Sequence, residues 1–144
     1  MFVTTLFVEN TIYMKKTSDS PTNSELEILT ILWQNGASTV REVHNVLEKS
    51  KKTGYTTTLK IVQNMYEKKF LERAAQGNTH KYTPVIKENI VQKNMLNNFV
   101  NLVFRGSSKN LIMSSLGSQK TTSEDIKEIR RILEELEQKE EKNG

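Results

Sequence analysis

Cysteine is absent from the 144 residues, which removes disulfide scaffolds, thiol nucleophiles and thiolate metal sites together. Its absence is compatible with a reducing cytoplasm, where the protein is expected to act. Histidine occurs twice, as His44 and His80. They fall on different segments, and neither is read as standing in a catalytic relation to a carboxylate. His44 reads as a helix-surface or packing residue, not a ligand. There is no glycine-rich phosphate loop, no paired-acid signature and no His/Asp metal spacing. An enzyme is therefore not expected, nor any cofactor or metal. No apolar run approaches the roughly 20 residues of a membrane span. The opening stretch, residues 1–8, is apolar but short, and Glu9 and Asn10 follow it. It lacks the positive leader and small-residue cleavage site of a secretory signal. Met14-Lys15-Lys16 reads as an ordinary start, so the first thirteen residues are expected to be an upstream start-site artefact or a disordered extension. Internal repeats and low-complexity tracts are also missing.

What is present is a modest hydrophobic fraction, 35%, and an uneven charge. The net charge is +4 and the pI near 9.2. Residues 36–82 hold nine Lys or Arg against four Asp or Glu, whereas residues 120–144 hold six against eight. A basic first half and an acidic last segment suit a polyanion-binding head on a non-binding tail.

The periodicity predicts helices. Thr22 and Glu25 have the spacing of a capping box, and Leu26, Leu29 and Trp33 then recur at helical intervals until Asn35-Gly36 stops the run. A second helix starts at Ser38 or Thr39, with Val40, Val43 and Leu47 as its buried stripe. A basic turn, residues 49–54, leads to a third helix expected over residues 56–70. Its wheel separates Leu59, Val62, Met65, Tyr66 and Phe70 from Thr56, Thr57, Lys60, Gln63, Asn64 and Glu67. Two short extended runs follow, residues 71–74 and 80–83, with Gln76-Gly77-Asn78 as the hairpin turn and Pro84 as the stop. Three short helices and then a hairpin is the order of a winged helix-turn-helix. The remainder is helical: residues 90–104, a short helix over 109–116 stopped by Gly117, and a last helix from about Ser123. The expected fold is mainly α with a small β-hairpin wing, divided into an extension (1–20), a winged-helix domain (21–86) and a helical dimerisation region (87–144).

In this order of elements the third helix enters the major groove with its polar face toward base edges. That face is Thr56, Thr57, Lys60, Gln63 and Asn64. Threonine offers a hydroxyl and a methyl, Gln and Asn can pair bidentately with adenine, and Lys reaches guanine or phosphate. No acid belongs to the set. Phosphate contacts are expected from Arg41, which lies near a helix N-terminus, from Lys49, Lys51 and Lys52 in the turn, and from Arg73, His80 and Lys81 in the wing. In the tail, Leu96, Phe99 and Val103, Leu111, and the stripe Ile126, Ile129, Leu133 and Leu136 need an apolar partner. A second copy of the chain is the economical one; folding back onto the winged domain is the alternative.

Four stretches then acquire a common meaning. Glu25-Leu-Glu-Ile-Leu-Thr-Ile-Leu-Trp33, Val40-Arg-Glu-Val43, Gly54-Tyr-Thr-Thr-Thr-Leu-Lys60 and Tyr66-Glu-Lys-Lys-Phe-Leu-Glu-Arg73 resemble, in order and spacing, the penicillinase and methicillin-resistance repressor family over about residues 21–137. The resemblance implies a homodimeric repressor that binds a palindromic operator in double-stranded DNA through the third helix and wing. It further implies control of genes for β-lactamase, a resistant penicillin-binding protein or a membrane sensor peptidase. In the best-known members a sensor protease inactivates the repressor by cutting the tail, and the corresponding point here is Met113-Ser114-Ser115. The Asn-Phe pair found there in those members is missing from this sequence. A copper-responsive branch relies on C-terminal cysteines, which this chain lacks. The competing reading from another class is a winged-helix module for protein–protein contact.

Overall fold

The structure, a computed structural model, describes residues 20–118 and 120–144. The expectation for the first thirteen residues falls outside them. The first helix, α1 (Asn23–Asn35), opens through the capping box anticipated from the spacing. Thr22 Oγ1 accepts from the Glu25 N–H at 3.2 Å, and Glu25 Oε1 accepts from the Thr22 N–H at 3.0 Å. Both bonds satisfy amides that a helix start leaves open. Glu25 is buried, and its carboxylate also receives Lys68 Nζ at 3.1 Å. Gly36 ends α1 at φ 79°, ψ −168°, a conformation that essentially only glycine adopts. The next helix, α2 (Val40–Glu48), is capped by Thr39, whose hydroxyl accepts from the Glu42 N–H.

The third helix, α3 (Tyr55–Glu67), is shorter than the expected 56–70. The chain leaves it by a Schellman turn: Phe70 N–H donates to Met65 O at 2.9 Å and Lys69 N–H to Tyr66 O at 3.0 Å. That turn needs a left-handed residue, and Lys69 supplies it at φ 66°. Glycine is the usual occupant, so no sequence signal marked this end.

The hairpin pairs β1 (Leu71–Gln76) with β2 (Thr79–Pro84), antiparallel, from Leu71 opposite Pro84 to Gln76 opposite Thr79. Both strands run further toward the turn than expected, which leaves only Gly77-Asn78 as the loop. Gly77 has φ 62°, whereas Asn78 is not left-handed, as a type II′ turn requires of its two central residues. One feature of the sheet had no counterpart in the sequence reading. Ser38, between α1 and α2, bridges to Tyr82 by two backbone bonds of 3.1 and 2.8 Å and makes a one-residue third strand.

These elements close over one core. Ile28, Leu29 and Leu32 from α1, Val43 and Leu47 from α2, and Val62 and Met65 from α3 meet Phe70, Leu71, Tyr82 and Ile86. Full burial of such side chains contributes about 1.5–3 kcal/mol each. Trp33 lies at the margin, where its indole N–H donates to Ile86 O at 3.0 Å and ties α1 to the chain beyond β2.

By compactness the chain divides into two units, one ending at Leu96 and the other running from Asn97 to Gly144. The sequence placed a boundary after residue 86. The first unit extends beyond it because α4 (Glu88–Val103) begins by burying Val91 in the core, with Ile90 and Met95 packed alongside. The second unit holds the end of α4, α5 (Ser108–Ser118) and α6 (Ser123–Asn143). Gly117 was expected to stop the short helix but lies inside α5. So near the helix end, its propensity cost of about 1 kcal/mol relative to alanine is tolerated. A second capping box, Thr122 with Asp125, starts α6. No described helix is long and apolar enough to cross a membrane.

Lys69 at a left-handed position gives a direct test of the α3 terminus. Lys69→Gly should raise the unfolding free energy by about 0.5–1 kcal/mol, since it relieves a left-handed side chain. Lys69→Val should lower it, both read from denaturant midpoints.

Candidate nucleic-acid interface

The burial of α3 on one side decides what it offers on the other. Val62 and Met65 are sunk in the core, so Thr56, Thr57, Lys60, Gln63 and Asn64 all emerge exposed on the opposite side. Glu67, a turn further on, is exposed beyond them. The wheel left one neighbour out. Thr58, on neither sequence list, is fully buried.

An arginine stands near each end of α3, lying on an aromatic ring. The Arg41 guanidinium from α2 sits 3.9 Å from the centroid of Tyr55, the first residue of α3. That of Arg73, from β1, sits 4.0 Å from the centroid of Tyr66. Tyr66 in turn meets Tyr82 edge-on at 6.3 Å. Stacking of this kind holds a guanidinium in place while leaving its N–H groups in plane and free to donate. The sequence pointed to both arginines but not to their platforms; Tyr66 was read as core alone and Tyr55 was given no role.

The other cationic candidates are placed less uniformly. Lys49 and Lys52 are exposed in the turn before α3. Lys51 turns toward α1 and pairs with Glu27 at 3.3 Å. An exposed pair of this kind is worth about 1 kcal/mol or less, so a phosphate can displace it. The register splits the wing. Arg73 opposes Tyr82 and His80 opposes Ala75 on one face, whereas Lys81 opposes Ala74 on the other. Lys81 therefore lies across the ribbon from Arg73 and His80, and the three do not form one patch.

At His44 the structure adds a neighbour that the sequence reading did not use. His44 is a packing residue and 3% exposed, but a carboxylate does stand beside it. Glu48, one turn along α2, places Oε1 3.0 Å from Nε2, and Nδ1 meets Thr58 Oγ1 at 2.9 Å. The i,i+4 spacing of His44 and Glu48 was the available signal. Among the described residues no group of three or more His, Cys, Asp or Glu is placed to hold a metal ion.

The tail residues are also accounted for. Leu96, Phe99, Val103, Ile126, Leu133 and Leu136 are exposed, and Leu111 and Ile129 are half-buried. Leu102, Ile112, Met113, Leu116 and Ile132 add to this apolar surface, with Leu102 85% exposed. On α6 the opposite side is ionic. Arg131 bridges Glu128 and Glu135, and by its hydrogen bond and then its charge it holds the Glu128 carboxyl below the usual carboxylate range. Ser114 and Ser115 are exposed within α5, beside Met113.

Three helices, a hairpin and a short third strand, with an exposed acid-free run on the third helix, define a winged helix-turn-helix protein. The chain belongs to the penicillinase repressor family, whose model matches residues 21–135. Among its relatives, the penicillinase repressor of Staphylococcus aureus is 22% identical over 116 residues, covering 81% of this chain and 92% of that protein. The methicillin resistance regulatory protein MecI of Staphylococcus aureus strain N315 is 21% identical, covering 77% of this chain and 90% of that one. A solution structure of the DNA-binding domain of the repressor BlaI is 25% identical and covers 49% of this chain and 88% of its own, with a TM-score of 0.45.

The stacked arginines should behave as phosphate contacts. Arg41→Ala and Arg73→Ala are each expected to weaken binding to all duplexes alike and to lower the salt-dependence slope by about one. Quantitative binding to matched and scrambled duplexes at several salt concentrations separates this from base reading, which would change the ranking of sequences.

Proposed function

We propose that the protein is a DNA-binding transcriptional repressor of the cytoplasm that acts as a homodimer on a two-fold symmetric operator. The observation that carries this reading is the α3 surface: five exposed hydroxyl, amide and amine side chains, no acid among them, between two arginines fixed on tyrosine rings. Such a surface fits the major groove, with Thr56, Thr57, Lys60, Gln63 and Asn64 at base edges. Arg41, Lys49, Lys52 and Arg73 meet phosphates beside them, joined by Lys51 once it leaves Glu27. Lys81 meets phosphate only on the far face of the wing, and His80 from the near one. Membership of the penicillinase repressor family supports the same conclusion.

The tail supplies the second copy. The apolar side chains of α4, α5 and α6 would leave water by pairing with the same surface of a partner, at roughly 25 cal/mol per Å² buried. Pairing also sets two α3 helices one DNA turn apart or a multiple of it. Control by proteolysis fits α5, which carries no buried residue. Unwinding it around Met113-Ser114-Ser115 to enter a protease would expose little, and a cut there would separate α4 from α6. Genes for β-lactam resistance are the targets suggested by the relatives, and a gene for the sensor protease is the further one that the resemblance in sequence implies.

Footprinting of the full chain on DNA upstream of its own and adjacent genes is the primary test, with protection of a two-fold symmetric site expected. Affinity should fall by orders of magnitude between about 50 and 200 mM salt. Absence of protection at low salt, on those fragments and on random genomic DNA, would favour a protein-docking role for the winged unit. Lys60→Ala or Asn64→Ala should cost about 1–3 kcal/mol on the preferred site and relax the preference at one position per half-site. Deleting the tail beyond Gly106 should give monomers in sedimentation, with operator affinity reduced about 10²–10⁴-fold. A truncated chain that stayed dimeric would place the interface elsewhere.

A further inference from the structure

The helix-turn-helix pair, α2 and α3, is joined by a buried polar contact that apolar packing alone would not require. His44, on α2, is enclosed, and Thr58, on α3, has no solvent exposure at all. Their Nδ1 and Oγ1 atoms are 2.9 Å apart. The other ring nitrogen, Nε2, lies 3.0 Å from Glu48 Oε1. An ionised carboxylate only accepts hydrogen bonds, so Nε2 carries the imidazole proton. In the neutral imidazole Nδ1 is then left with a lone pair and accepts from the Thr58 hydroxyl. The competing acceptor for that hydroxyl, the Gly54 carbonyl, is further away at 3.4 Å. The imidazole edge also abuts the Tyr55 ring, with centroids 5.6 Å apart and planes at 89°, and the same ring carries Arg41. The first turn of α3 is thus held by α2 at Tyr55 and at Thr58, and His44 touches both.

Thr56, Thr57 and Lys60 stand on the same turns as these anchors. A rotation of α3 about its axis that the apolar core would tolerate must break a directional bond at Thr58. We propose that His44 is a positioning residue for sequence readout: through Thr58 and Tyr55 it fixes the rotation at which α3 presents its base-reading face, without touching DNA itself. This rests on α3 being the reading helix. The role differs from bulk packing, since a hydrogen bond has a preferred direction and dispersion does not.

The test uses the full chain and a consensus duplex that the wild type selects from a random-sequence library, with a scrambled duplex as reference. Three variants are compared with wild type: His44→Leu, which fills the space without the hydrogen bond; Thr58→Val, which keeps the shape without the hydroxyl; and His44→Asn, whose side-chain amide can occupy the Nδ1 position. The readout is the ratio of consensus to scrambled affinity, together with the ranking of single-base substitutions. His44→Leu and Thr58→Val should each lower the ratio about tenfold and shift the same position in the ranking. The double variant should be no worse than His44→Leu alone, because both substitutions remove the same His44–Thr58 bond. His44→Asn should recover part of the ratio. A packing role alone would reduce both affinities together with the folded fraction and leave ratio and ranking intact, which would overturn the proposal. Nitrogen NMR of the free protein gives a second decision without DNA: the Nε2–H tautomer is expected, and an Nδ1–H tautomer would overturn the assigned bond. A wild type that selects no duplex would sink the DNA reading itself, and with it this role, whatever the tautomer.

Discussion

The arrangement of the first unit depends on the burial of α3 along one side. Val62 and Met65 share a closed core with Ile28, Leu29, Leu32 and Val43, while Phe70 and Leu71 carry the chain from α3 into the hairpin. No part of the polar side could turn inward without taking amides and an ammonium out of water, at a cost of several kcal/mol. The same burial fixes the wing, since Leu71 is both a core residue and the first residue of β1. Tyr82 repeats the pattern from β2, and its backbone takes Ser38 as a third strand. Helix, hairpin and the entry to α2 are therefore positioned by one set of apolar contacts. The polar residues on the outside inherit their geometry from it.

Much of this was legible in the sequence because it follows local rules. The capping box at Thr22, the two-sidedness of α3 and the Gly77-Asn78 turn all depend on residues a few positions apart, and the elements they predict are found. What was not legible depends on residues distant in the chain. Tyr55 becomes a platform only because Arg41 comes from another helix, and the Ser38–Tyr82 bridge joins positions no periodicity connects. Lys69 hid the end of α3 by occupying a left-handed position without being glycine. The neighbours of His44 were missed for another reason. Its partner Glu48 was in plain view at helical spacing, but Thr58, the group that gives the pair meaning, was given no role.

The second unit follows a different economy. Its helices leave Phe99, Leu102, Val103, Leu133 and Leu136 in contact with water, whereas the winged unit keeps its large apolar side chains mostly inside. A row of apolar groups on α6 opposite the Arg131 ion pairs is what a helix shows when one side is reserved for a partner. The asymmetry between the units is thus plain: one is finished by its own core, and the other leaves apolar side chains that the proposed pairing with a second copy would cover.

The stacked arginines bear on time as well as on strength. A solvated arginine surrenders about 1.5–2 kcal/mol of rotamer freedom when it is immobilised. Arg41 and Arg73 have already given up part of that on Tyr55 and Tyr66 before any polyanion arrives. Encounter rates are governed by long-range charge, which stacking leaves unchanged. The saving therefore appears in how slowly a formed complex comes apart. In the proposed complex Tyr55 and Tyr66 would in this way lengthen the residence of the protein on its site, and so the interval for which a promoter stays closed after each arrival.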